Sequence, residues 1–128
     1  MTDTKRLVDV LVVEDNTEIA DITLRTLNRM GIDARWAADG RQAMAMLDEE
    51  LPDLILLDLN LGEIDGWHVL EYAKKLHGET NLKVVVMTAA DDSANRVIGK
   101  LQPVSRYLVK PVERAVLVKT VNEILGLA

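Results

Sequence analysis

The sequence predicts an α/β protein built on one parallel sheet. Apolar, β-rich runs at residues 7–13, 54–57, 82–87 and 107–109 alternate with amphipathic stretches, which is the pattern of successive βα units. Each run is followed directly by a polar signature: Glu14-Asp15, Asp58, Thr88 and Lys110-Pro111. In a parallel sheet all four signatures share the carboxyl edge, where open α/β sheets bind ligands.

The elements follow in order. Residues 7–13 form the first strand, and Asn16 caps the helix after it. Ile19, Ile22, Thr26 or Leu27, and Met30 are its expected inward positions, and Gly31 ends it. A short second strand spans 32–37. Asp39 and Gln42 have capping-box spacing and open a helix with Ala43, Met46 and Leu47 inward. Pro52-Asp53 interrupts the chain before a third strand that ends at Asp58. A loop with Gly62 follows, and Asp65 caps a helix with Val69, Leu70, Ala73 and Leu76 on one face. The fourth strand, 82–87, is nearly all apolar and so is expected to be buried on both faces. Asp91 or Asp92 starts a fourth helix with Ala94, Val97, Ile98 and Leu101 on one face, and Pro103 stops it. The last strand is 105–109. Pro111-Val112 leads into a fifth helix reaching Leu125. Residues 115–118 are apolar in succession, more than a one-faced helix needs, so part of that surface is expected to meet a partner.

Composition narrows the function. The 128 residues are enough for one domain with one core. Apolar residues make up 48%, which argues against disorder. There is no cysteine, hence no disulfide framework and no thiolate zinc site. No apolar run is long enough to span a bilayer, and the polar start at residues 1–6 lacks a signal-peptide core; the expected location is cytoplasmic. A net charge of −6 argues against nucleic acid as a direct partner. With no Phe and 3% aromatics, no stacking platform for bases is visible.

The four signatures suit a divalent cation and a phosphoryl group. Asp58 is a plausible nucleophile for phosphoryl transfer, and a metal is needed because a phosphoryl dianion repels a carboxylate. Magnesium takes oxygen ligands from one or two carboxylates and keeps several waters. Asp15 and Asp58 can supply those, Glu14 can act directly or through water, and a backbone carbonyl just after Asp58 can complete the set. Lys110 offers a point charge to a phosphoryl oxygen, and the Thr88 hydroxyl can donate to another. Each signature alone has a plainer reading. An acidic pair after a strand is often a helix N-terminal charge, and Lys-Pro is a common turn. The joint placement at successive strand ends carries the argument.

Taken together, the motifs resemble the receiver domain of bacterial two-component response regulators, close to the chemotaxis type in size. Leu11-Val12-Val13-Glu14-Asp15-Asn16 resembles the family's acidic first-strand motif. Leu54-Ile55-Leu56-Leu57-Asp58-Leu59-Asn60 resembles its phosphoacceptor motif, and Asp65-Gly66 the opening of its third helix. Val86-Met87-Thr88-Ala89 resembles its switch-hydroxyl motif, and Tyr107-Leu108-Val109-Lys110-Pro111 its carboxyl-terminal signature. The likeness covers essentially all of residues 1–128. It implies a doubly wound, flavodoxin-like (βα)5 sandwich with strand order 2-1-3-4-5. It implies a histidine kinase or histidine phosphotransfer protein that donates phosphoryl to Asp58 with Mg2+ bound, and a downstream protein target. It also implies that Thr88 and Tyr107 respond to phosphorylation and that the Lys110–Pro111 bond is cis. The metal's backbone ligand is then Asn60, and Asn60 and Ala90 flank the path of the water that removes the phosphoryl group. The expected protein is a signalling switch, monomeric or weakly dimeric on phosphorylation, without a dedicated small-molecule substrate.

Some positions depart from the family pattern. Gly62 stands where Pro is usual, Val112 where Phe is usual, and Gln102-Pro103-Val104-Ser105-Arg106 where Gly-Ala-Asp-Asp is usual. The last weakens any carry-over of family dimer contacts. None touches the chemical residues. A haloacid-dehalogenase-like phosphohydrolase is the alternative, but it wants a second Asp where Asn60 stands. A flavodoxin-like cofactor binder would find the acidic pair, instead of a phosphate cradle, after the first strand. A pseudo-receiver usually loses part of the cluster, which is complete here. His68 and His77 are expected to be solvated, Trp36 and Trp67 to pack, and Met30, Met44, Met46 and Met87 to be core or rim.

Overall fold

The computed structural model describes residues 7–78, 82–89 and 104–127. Five strands, β1 (Asp9–Val13), β2 (Asp33–Ala37), β3 (Leu54–Asp58), β4 (Val84–Ala89) and β5 (Arg106–Lys110), form one sheet in the order 2-1-3-4-5. Every pairing is parallel. The helices among the described residues are α1 (Thr17–Arg29), α2 (Gly40–Glu49), α3 (Gly66–His77) and, at the carboxyl end, α4 (Arg114–Leu125). The helix expected at 91–101, with Ala94, Val97, Ile98, Leu101 and its stop at Pro103, lies outside the described residues, as does Ala90.

The sheet buries both faces. Leu11, Val13, Ile55, Leu57, Val84 and Val86 pack against Ala43 and Leu47 of α2 and Val69, Leu70 and Ala73 of α3. Val10, Val12, Leu54, Leu56, Val85 and Met87 pack against Leu27 of α1 and Leu117 and Val121 of α4. Adjacent residues of one strand thus serve opposite cores, which is why these strands read as unbroken apolar runs. The helix starts follow from their caps. Asn16 accepts from the Ile19 amide, Asp39 from the Gln42 amide and Asp65 from the His68 amide.

Several expectations need correction. β1 begins at Asp9, and Leu7 is 62% exposed. β4 runs two residues further than expected and includes Thr88, while Leu82 and Lys83 precede it. α1 is rotated from the expected face. Ala20, Thr23, Thr26 and Leu27 are buried, whereas Ile19 and Ile22 are exposed and Met30 is half-buried. The Thr23 and Thr26 hydroxyls donate to the Ile19 and Ile22 carbonyls. With that donor capacity met inside the helix, small residues can face the sheet. Ile19 and Ile22 instead line a cavity of about 350 Å3 shared with Leu117 and bounded by Lys110 and Pro111. Leu76, expected on the inward face, is exposed, while α3 buries Val69, Leu70 and Ala73. Of the run 115–118, Leu117 is buried, Val118 half-buried and Val116 exposed.

At the amino edge, Asp9 is buried and accepts from Arg35 Nε at 3.1 Å and Nη2 at 3.0 Å. This pair ties edge strand β2 to β1. Arg35→Ala would leave a buried carboxylate without its cation, and should lower unfolding stability by roughly 1–3 kcal/mol. Urea unfolding checks this; an unchanged midpoint would show that the pair contributes nothing.

Candidate functional site

The parallel register brings the ends of β1, β3, β4 and β5 to one edge, and face parity then sorts their side chains. Glu14 and Asp58 continue the alternation of Val12 and Leu56, and Lys110 that of Leu108, all on the α1/α4 side. Thr88 continues Val86 and lies in register with Val109, two residues beyond Tyr107, on the α2/α3 side. The predicted residues therefore meet at the edge as two groups.

The first group is acidic with one cation. Glu14 and Asp58 are buried and Asp15 is exposed. Each of the three offers an oxygen within 4.8 Å of the others. Lys110 Nζ donates to Asp58 Oδ2 at 2.9 Å and to Glu14 Oε1 at 3.3 Å. The Asn60 backbone N–H donates to Asp58 Oδ1 at 3.0 Å, and the Asn16 backbone N–H to Glu14 Oε2 at 3.2 Å. Asp15 has no ion-pair partner among the described residues. The Lys110–Pro111 bond is cis.

One ammonium against three carboxylates leaves excess negative charge in a largely buried place. Burial, and then the Asp58 charge, push Glu14 up to about 7. Lys110 is held above its ordinary value. Burial alone would lower it, but the hydrogen bond and charge of Asp58, joined by Glu14, outweigh that. An all-oxygen donor set with uncompensated charge and an exposed Asp15 fits a hard, oxygen-preferring divalent cation such as Mg2+.

The second group is hydroxylic. Thr88 Oγ1 and Tyr107 Oη are both buried and without a hydrogen-bond partner among the described residues. Burial raises the Tyr107 phenol. The Trp67 ring stands 6.5 Å from the Tyr107 ring, inclined at 53°.

The loop between Asp58 and α3 has two constrained glycines. Gly62 has φ +86°, a backbone conformation closed to the proline usual in the family. A Cβ on Gly66 would lie 2.7 Å from the Asp58 carbonyl oxygen and 2.8 Å from Leu59 Cα. Helix α3 thus begins in contact with the backbone of the proposed acceptor.

Two contacts escape sequence reasoning. Trp36 does more than pack: its indole Nε1 donates to the Glu14 carbonyl at 2.8 Å. No signal in a single sequence shows this, because it depends on which strand pairs with β1. His77 is not simply solvated, since its Nε2 lies 2.9 Å from the Leu47 carbonyl. His68 is exposed, as expected.

Comparison with known proteins agrees with this geometry. Residues 10–122 match the response regulator receiver domain family, and the chain belongs to that family. Protein PilH of Pseudomonas aeruginosa is 30% identical over 118 residues, covering 91% of this chain and 97% of PilH. The probable transcriptional regulator ycf27 of Porphyridium aerugineum is 32% identical over 102 residues, covering 80% of this chain and 41% of the regulator. The chain spans 39–49% of the length of several such regulators. A CheY-like receiver domain structure from Methanospirillum hungatei JF-1 superposes with a TM-score of 0.87 at 29% identity, covering 94% of this chain and 95% of that one. The chemotaxis protein CheY4 of Vibrio cholerae gives 0.85 at 26%, covering 94% and 100%. No described helix is long and apolar enough to cross a membrane.

The raised Glu14 value has a measurable consequence. Between pH 4.5 and about 7 the folded chain keeps a proton that the unfolded chain has released. Without metal, stability should therefore fall as pH rises through that window. Glu14→Gln cannot ionise, so in chelator it should melt above wild type at pH 8 and lose that advantage by pH 4.5. Equal melting temperatures at pH 8 would contradict the repulsion described.

Proposed function

We propose that residues 1–128 act as a single receiver domain that takes a phosphoryl group onto Asp58 from a histidine kinase or histidine phosphotransfer protein. The observation that carries this reading is Asp58 at the strand edge, 2.9 Å from the Lys110 ammonium and within reach of two further carboxylates. Asp15, Asp58 and Glu14, with the Asn60 backbone carbonyl, would hold Mg2+. When bound, the metal screens the charge of the incoming phosphoryl group from these acids.

The chain's own residues account for the rest. An Asp58 oxygen forms the bond to phosphorus as the donor's phosphorus–nitrogen bond breaks, and the electron pair leaves with the imidazole nitrogen. Lys110 shifts from Asp58 to a phosphoryl oxygen, keeping one ion-pair partner throughout. The Thr88 hydroxyl, without a partner among the described residues, donates to another phosphoryl oxygen. Water later cleaves the phosphorus–oxygen bond and releases phosphate. Asn60 and Ala90 border its path and tune the lifetime.

Incubation with a small phosphodonor and Mg2+ should add one phosphoryl group by intact mass. Asp58→Asn should abolish the adduct, and Asp15→Ala should prevent it at Mg2+ concentrations that suffice for wild type. An adduct that persists in Asp58→Asn sinks the assignment.

The output surface proposed is the segment after β4, together with β5 and α4. Movement of the Thr88 hydroxyl toward Asp58 frees space beside Tyr107, and a charge event becomes a packing event. Val109 and Val116 are large apolar residues left exposed on β5 and α4, which suits a protein partner that covers them part of the time. Hydrogen exchange with and without a beryllofluoride-type mimic should show changes across residues 88–120. Changes limited to residues 14–16 and 58–60 would count against this surface.

A further inference from the structure

Glu14 leaves the end of β1, yet β2 grips its backbone on both sides. The Glu14 amide donates to the Ala37 carbonyl at 3.1 Å, and the Glu14 carbonyl accepts from Trp36 Nε1 at 2.8 Å. Trp36 and Ala37 are the last two residues of β2, in register with Val12 and Val13. The indole is half-buried and packs beside the α1/α4 core, so its donor has little freedom to point elsewhere.

The peptide unit between Glu14 and Asp15 sets where the chain, and with it the Asp15 side chain, goes next. Its carbonyl belongs to Glu14, and its orientation fixes the direction in which Asp15 leaves the strand. Asp15 gets no help from an ion pair among the described residues and sits exposed just before α1. Three carboxylates crowded within 4.8 Å repel one another, and rotation of this peptide away from Asp58 is one way to relieve that. A hydrogen bond from a rigid ring opposes that rotation.

We propose that Trp36 is a positioning residue for the acidic loop, and that its indole N–H holds Glu14 and Asp15 in the arrangement that binds a divalent cation. This rests on the receiver reading of the acidic cluster. Trp36 touches neither cation nor phosphoryl group, and its effect passes through the Glu14 carbonyl. Losing the N–H while keeping a ring should leave the fold intact and let the loop sample orientations that bind metal poorly.

The test is a Mg2+ titration followed by amide and indole N–H chemical shifts. In wild type the Trp36 indole resonance should move with Mg2+. Trp36→Phe should bind Mg2+ roughly three- to tenfold more weakly, the scale of one hydrogen bond. Its phosphorylation rate should recover fully at saturating Mg2+. Replacing Trp36 with benzothienylalanine, which keeps the indole shape and lacks the N–H, should reproduce the defect even if Trp36→Phe folds poorly. If both variants bind Mg2+ as wild type does, the positioning role is wrong and the metal site stands. If wild type binds no Mg2+ while Asp58 is still phosphorylated, the metal reading fails first and the proposal with it.

Discussion

A single ammonium spanning two buried carboxylates is the contact on which the arrangement depends. Lys110 comes from β5 at one edge of the sheet, Asp58 from its middle strand, and Glu14 from the end of β1. Without that cation, two buried acids on the same face would have to be neutralised or pushed apart, since burying like charges together costs several kcal/mol. Lys110 therefore closes the site mechanically as well as electrostatically, across strands that are distant in sequence. It only partly offsets the charge, and the remainder appears as the raised Glu14.

Face parity adds a second constraint. Because every strand alternates, Asp58 and Lys110 belong to the α1/α4 side while Thr88 and Tyr107 belong to the α2/α3 side. The sheet separates the charged chemistry from the hydroxyls everywhere except at its carboxyl edge. A change at that edge can thus reach the packing around Tyr107 and Trp67 with no need to disturb the core behind Asp58. The close approach of Gly66 to the Asp58 backbone couples α3 to the same place.

Much of this is legible in the residues, for a physical reason. A buried parallel strand must be apolar on both faces, so its end is marked by the first polar residue. That is why the order of residues alone assigns Glu14, Asp58 and Lys110 to one edge. Caps are equally legible, because Asn16, Asp39 and Asp65 act locally. What stays hidden is phase and pairing. In α1 the large isoleucines look like core, but threonines that satisfy their own hydroxyls take the inward positions. Nothing local marks Trp36 as a partner of Glu14, since that bond exists only once β2 lies beside β1.

Two buried hydroxyls near the sheet edge lack a hydrogen-bond partner among the described residues. An ordinary hydrogen bond formed in a protein replaces one that water already supplied, so its net yield is small. Thr88 Oγ1 and Tyr107 Oη have no such bond to give up among the described residues. An acceptor brought within reach of either hydroxyl would add a hydrogen bond at the sheet edge. Under the receiver reading proposed above, a modest displacement at the sheet edge would then be enough to change how these side chains pack.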